Sequence, residues 1–340
     1  MSKKFICLFS FLLVLGCLCI LNAPAFAGVA DMTANNAGSP PVSSFNMNVN
    51  WSGFGPPSAG NDYYTGGWLM RSPADGTSYL PGPFTFAGDK LTVGYSSTGT
   101  LANPFDPNAA PNNNSLIFKY NGQILTVNNL VLDAGSVRDG LSSANNWHLA
   151  GNIYVTNRGG MFQCQAAGYV DANISGPGPI YIGDNGSGDA ARTIYFTSSA
   201  STYAGNIILT PGTSGNQNRS RLTFVDDSIM NFIIGANGVN NSISGTGILT
   251  LNGDFNFDLT AAGVNLGDSW VVASATSQTF GSTFTVAGFY DNGGDIWYKT
   301  YNAVVYEFSE STGTLSVVPE PATLVLLGLG SLALLRRRKS

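Results

Sequence analysis

The chain has 340 residues, enough for one large domain or two ordinary ones. Its formal charge of −5 hides an asymmetry, because residues 28–320 hold nine basic side chains against all twenty acidic ones, a formal −11 that repels phosphate backbones and excludes nucleic acid as a partner. Glu and Lys are scarce while Asn, Ser, Thr, Asp and Gly abound, a composition that disfavours helix interiors and points to an all-β fold.

At the N-terminus, Lys3 and Lys4 precede an apolar stretch over residues 5–21, and Ala25 and Ala27 supply the small residues a signal peptidase requires. Residues 1–27 therefore read as a secretory signal cut after Ala27. Cys7, Cys17 and Cys19 leave with it. Cys164 alone permits neither an internal disulfide nor a cysteine metal cluster. Phe45-Asn46-Met47-Asn48-Val49-Asn50-Trp51 alternates apolar and polar side chains, the pattern of a half-buried strand. Trp51, Tyr63, Tyr64 and Trp68 then alternate with Gly and Pro. Exposed, they would stack on sugar rings; packed, they would form an N-terminal cap over about residues 45–69.

Short apolar runs bounded by Gly, Asn or Asp follow at 116–120, 124–127, 130–132, 153–155, 180–182, 193–196, 207–209, 222–225, 229–234, 248–251 and 255–259. They predict many short strands. Gly151-Asn152-Ile153-Tyr154-Val155 returns as Gly205-Asn206-Ile207-Ile208-Leu209, and Ile174-Ser175-Gly176-Pro177-Gly178 returns as Ile243-Ser244-Gly245-Thr246-Gly247. The displacements of 54 and 69 would be three coils of about 18 and about 23 residues, so a parallel β-helix is expected over residues 28–266, with a β-sandwich as the alternative. Leu125-Thr126-Val127-Asn128-Asn129-Leu130-Val131-Leu132-Asp133-Ala134-Gly135, Thr202-Tyr203-Ala204-Gly205-Asn206 and Gly245-Thr246-Gly247-Ile248-Leu249-Thr250-Leu251-Asn252-Gly253 resemble autotransporter-associated β-strand repeats. That resemblance implies a passenger-type right-handed β-helix.

Chemistry-bearing residues are sparse. His148 is the single histidine and has neither a second His nor a Cys near it in sequence to share a metal, so it reads as a structural residue beside Trp147. Asp184-Asn185-Gly186-Ser187-Gly188-Asp189 is rich in oxygen ligands, but the EF-hand spacing puts Tyr195 where Glu is needed. A tight turn is expected there, with Asp184 and Asp189 as the residues of any weak calcium site. Asp226-Asp227 lies near Arg219 and Arg221, and Asp254 and Asp258 share a strand face about 13 Å apart, too far for a retaining glycosidase pair. No catalytic residue and no cofactor is assigned.

From Gly267 the composition turns aromatic, with Trp270, Phe280, Phe284, Phe289, Trp297 and Tyr306 among the rings before residue 318. Residues 267–317 read as a C-terminal cap over an otherwise open strand edge. The tail, 318–340, runs Val318-Pro319-Glu320-Pro321, then 14 uncharged residues at 322–335, then Arg336-Arg337-Arg338-Lys339. As a helix the apolar run covers about 21 Å against roughly 30 Å of hydrocarbon. The basic cluster stays cytoplasmic and acts as a stop signal. The three features in this order resemble the PEP-CTERM sorting signal of exported bacterial proteins. The resemblance implies an exosortase-type processing enzyme as partner, a transient membrane tether, and delivery to the cell envelope or extracellular matrix; a permanent short anchor is the alternative. The function expected is that of an exported, non-catalytic surface or matrix protein with a structural, adhesive or exopolysaccharide-associated role. A carbohydrate-active β-helix enzyme, lyase or hydrolase, is the rival.

Overall fold

The computed structural model describes residues 27–320 except 34–43, 47–49, 54, 76–77, 109–113, 141–145, 185–191 and 212–219. The described residues are all-β, without an α-helix. Eighteen strands join one large sheet, and its strand pairings are parallel throughout. A β-sandwich is built from antiparallel sheets, so that alternative does not describe it.

The register explains why these residues form strands. Ile124, His148, Tyr169, Tyr195, Thr223 and Thr250 stand side by side on one ladder, 24, 21, 26, 28 and 27 residues apart. Their neighbours one residue on, Leu125, Leu149, Val170, Phe196, Phe224 and Leu251, point the other way and are buried. A second buried column holds Leu116, Val137, Phe162, Ile182 and Leu209, and a third Leu91, Leu130, Ile153 and Ile174. Each such side chain contributes roughly 1.5–3 kcal/mol of burial. Stacking of like on like therefore sets the register.

Ladder spacing corrects the coil lengths read from the repeats. Ile153 lies between Leu130 and Ile174, whereas Ile207 lies between Ile180 and Ile243. Displacements of 54 and 69 both carry a residue from the first of these ladders to the second. What one repeat does preserve is a positive-φ glycine in close contact with the neighbouring backbone. Gly176 has φ +108° and Gly245 φ +123°, and a Cβ would lie 2.2 Å from the Val155 carbonyl oxygen in one case and 2.1 Å from that of Leu209 in the other. Only glycine fits such an approach.

The two ends are sealed by rings. Phe45 and Asn46 lie in a turn and Trp51 makes only an isolated bridge to Met32, so these residues do not extend the strand expected over 45–51; Met47 to Val49 lie outside the described residues. The chain bends because Phe45 and Trp51 both pack inward, the Trp51 indole N–H donating to the Phe45 carbonyl at 2.8 Å. At the other end the parallel stack continues past Gly267, since Ala273–Phe280 pairs with Ile243–Leu251 and Thr285–Val286 with Asp254–Asp258. Five antiparallel strands form a sheet of their own, in the spatial order Ser269–Val271, Thr314–Val318, Val304–Ser309, Ile296–Tyr301 and Tyr290–Asp291. Phe308 of this sheet lies 5.7 Å from Phe255 and 6.0 Å from Phe284, covering the last apolar layer.

Candidate functional site

Two regions concern function: the point where the chain leaves the fold, and the outer faces of the ladders. The last strand, Thr314–Val318, is held on both sides, by Ser269–Val271 and by Val304–Ser309. The Val317 amide donates to Asp268 at 2.8 Å and its carbonyl accepts from Gly267 at 3.2 Å. Val318 is in register with Val305. Pro319 has no N–H and ends the ladder, and Glu320 is exposed. The last strand thus ends where the Pro-Glu-Pro stretch begins. Residues 317–339 match the family model for the PEP-CTERM protein-sorting motif.

The chain carries a PEP-CTERM motif. This marks an exported protein of the cell envelope, membrane-anchored first and then processed by an exosortase. No curated protein and no solved structure matches the chain, so the likeness of its body to autotransporter-associated repeats rests on its residues alone. Pro321 and the basic residues Arg336, Arg337, Arg338 and Lys339 lie outside the described residues, as does Ala25. Among the described residues no helix is long and apolar enough to cross a membrane. At the opposite end Ala27 is exposed, while the Gly28 amide already donates to Gly60 at 3.0 Å. A cut after Ala27 leaves the first residue of the product tied into the sheet.

The four N-terminal aromatics do not make one sugar platform. Trp51 and Tyr63 are buried, their rings edge-on at 4.9 Å, and Tyr63 meets Phe86 at 5.5 Å. Rings closed off in this way cannot stack on a ligand. Trp68 is partly buried against the same core. Tyr64 stays half-buried on the outer face with the Lys90 ammonium 5.2 Å from its ring centre.

An outer-face groove of about 430 Å³ lies next to it, lined among others by Asp62, Asp89, Lys90, Asn129, Asn152 and Tyr154. Its edge is an ion pair, Lys90 Nζ to Asp62 Oδ2 at 2.5 Å. Burial alone would lower the Lys90 pKa, but hydrogen bonds to Asp62 and Tyr64 outweigh it and raise it. Asn129 donates to the Asp89 carbonyl and Asn152 to that of Asn128, while Asn152 Oδ1 accepts from Asn173 at 3.3 Å. Tyr154 is 48% exposed. Val131 and Ser175, not aromatic rings, flank it on the ladder. In sequence, position 154 reads only as part of a strand; its signal is an aromatic at an outward position.

The second outer aromatic row differs. His148 stacks on Tyr169 at 4.4 Å and Tyr169 on Tyr195 at 4.7 Å, so the rings cover one another's faces. His148 Nδ1 lies 2.8 Å from Asp171, whose other oxygen accepts from Thr197. The histidine is partnered on the outer face, directly next to the buried Trp147.

The carboxylates named in sequence stay apart. Asp254 accepts from Thr285 Oγ1 at 2.5 Å; Asp258 accepts from the Thr260 hydroxyl and amide, which lowers its pKa, the wrong direction for a general acid. Asp227, at φ +64°, follows Asp226 in an exposed turn; Arg221 is half-buried on the adjacent strand and Arg219 lies outside the described residues. Asp184 ends the strand Ile180–Asp184 and Asp189 lies outside the described residues. No group of three or more His, Cys, Asp or Glu side chains that could hold a metal occurs among the described residues.

Proposed function

We propose that the body is a right-handed parallel β-helix that serves at the cell surface or in the matrix as a non-catalytic, polysaccharide-associated protein. The parallel ladders with three buried columns support the solenoid. The groove at Tyr154 carries the binding half of the reading, because it combines an exposed aromatic ring with carboxylates, amides and an ammonium. An aromatic face takes the C–H side of a sugar ring while the polar rim pairs its hydroxyls. Polysaccharide is a polymer, and a groove along stacked coils offers repeated contacts to one.

The test is co-sedimentation of the processed protein with exopolysaccharide purified from the producing cells. Tyr154→Ala is expected to weaken retention about tenfold, from the loss of roughly 1–1.5 kcal/mol of stacking. Trp68→Ala is the comparison, and its retention is expected to match the parent. Equal retention of the parent and Tyr154→Ala would remove the groove from the reading, and no retention of the parent would remove polysaccharide from it. Release of reducing or unsaturated sugar ends during the assay would favour the enzyme instead.

A further inference from the structure

We propose that the groove at Tyr154 selects a polysaccharide carrying free, protonated amino groups, and that Asp89 is the residue that reads them. The proposal rests on the polysaccharide reading of that groove and names the chemistry of the sugar.

Charge decides the class. The charged side chains lining the groove are Asp62, Asp89 and Lys90. Lys90, the one cation among them, is already engaged. Its ammonium lies 2.5 Å from Asp62 Oδ2 and 5.2 Å from the centre of the Tyr64 ring. An anionic sugar would have to draw it from these partners and would leave the Asp62 carboxylate without its cation. Asp89 differs. It is exposed, its Oδ1 accepts from the Gly60 amide at 2.9 Å, and among the described residues it forms no ion pair. The backbone contact fixes the carboxylate and leaves its charge uncompensated.

The neighbouring strands act in the same direction. Asp133 is offset by Arg158 at 2.6 Å, whereas Asp31, in register with Tyr64, accepts from the Ser97 amide and hydroxyl and forms no ion pair among the described residues. A carboxylate-bearing sugar entering here meets net negative charge, while an ammonium-bearing one meets an unpaired carboxylate. Gln123–Asp133 lies between Lys90–Gly94 and Asn146–Val155, so the backbones carrying Asp89 and Tyr154 stand about 10 Å apart across the strands. A chain of sugar units, with one on the Tyr154 ring and another at Asp89, spans that distance.

The experiment titrates the processed protein, in EDTA at mildly acidic pH, with a chitosan oligosaccharide, with the same oligosaccharide fully N-acetylated, and with oligogalacturonate. The amine form is expected to bind at least about fivefold tighter than the acetylated form, the gain from one exposed ion pair, with oligogalacturonate weakest. Asp89→Asn keeps an acceptor for the Gly60 amide and should remove the preference; Tyr154→Ala should weaken both forms and keep it. Asp226→Asn, in the exposed turn after Arg221–Phe224, controls for the overall negative charge and should leave the preference intact. Equal binding of the amine and acetylated forms, both weakened by Tyr154→Ala, overturns the amine class and leaves the polysaccharide groove standing. Tighter binding of oligogalacturonate overturns the class as well. A preference lost equally in Asp226→Asn and Asp89→Asn belongs to the overall charge and overturns the role of Asp89. Retention by the cells' own exopolysaccharide with neither chitosan-derived probe bound also overturns the class. Binding to none of them removes the class and the polysaccharide reading together.

Discussion

Gly168→Ala puts a single methyl against a buried ring of the parallel stack. A Cβ at Gly168 would lie 2.2 Å from Cζ2 and 2.5 Å from Cε2 of Trp147, and 2.9 Å from Cδ1 of Ile194. Carbon atoms prefer about 3.5–4.0 Å, so the overlap exceeds about 1 Å. Trp147 has nowhere to go: it is fully buried and its ring stacks on Phe118 at 5.0 Å with 17° between planes. Replacing a strand glycine by alanine gains about 0.5–1 kcal/mol in chain entropy, while overpacking costs about 1–3 kcal/mol. The expected net loss is about 1–2 kcal/mol, read as a lower urea midpoint with unchanged slope. Trp147→Leu removes the obstructing ring and is itself costly, but in that background Gly168→Ala should be nearly neutral. The double-mutant cycle should then show a coupling of at least about 1 kcal/mol. A Gly168→Ala protein as stable as its parent, or strictly additive substitutions, would refute this account of the packing.

Tyr203 gives a pH prediction. Its buried hydroxyl lies 2.8 Å from both the Gly178 and Asn206 carbonyls, and burial pushes its pKa well above that of a free phenol. The unfolded chain therefore loses this proton first, so the stability is intact below about pH 10 and falls as pH rises above it. Tyr203→Phe should cost about 1–2 kcal/mol at pH 8 and flatten the alkaline decline by one proton, measured by urea unfolding from pH 8 to 11. Asp171→Asn loosens the contact with His148 and should cost about 0.2–1 kcal/mol, with polysaccharide retention unchanged, if the histidine is structural. Replacing Arg336, Arg337, Arg338 and Lys339 by Gln should abolish arrest, so that intact mass finds an uncut C-terminus in the medium; normal cutting would contradict the stop-signal role.

Strands that alternate apolar and polar residues were legible from their pattern. The runs at 222–225 and 255–259 overlap Arg221–Phe224 and Asp254–Asp258, where every second side chain is buried and those between are not. Gly135–Asp139 and Gly160–Cys164 escaped for the opposite reason. Both are buried on both faces, with Ser136, Arg138 and Gln163 among the covered positions, so the expected contrast vanishes. Arg138 shows the cost: burial lowers its pKa to about 10 despite Asp139 beside it. At the candidate site, composition identified aromatics near the N-terminal end but not which of them face out. Tyr63 and Tyr64 are adjacent in sequence and on opposite faces, and only a register fixed by neighbouring strands separates them. Tyr154 becomes visible as an outward aromatic only when Val131 and Ser175 are known to flank it.

The placement of the exit strand also has a mechanical side. A protein held by its C-terminus takes any drag on its body at Val318, directed along Thr314–Val318. That strand lies between two antiparallel partners, so tension would load their hydrogen bonds together in shear instead of opening them one by one from an edge. Flow across the cell surface would reach the anchor before it unravelled the fold.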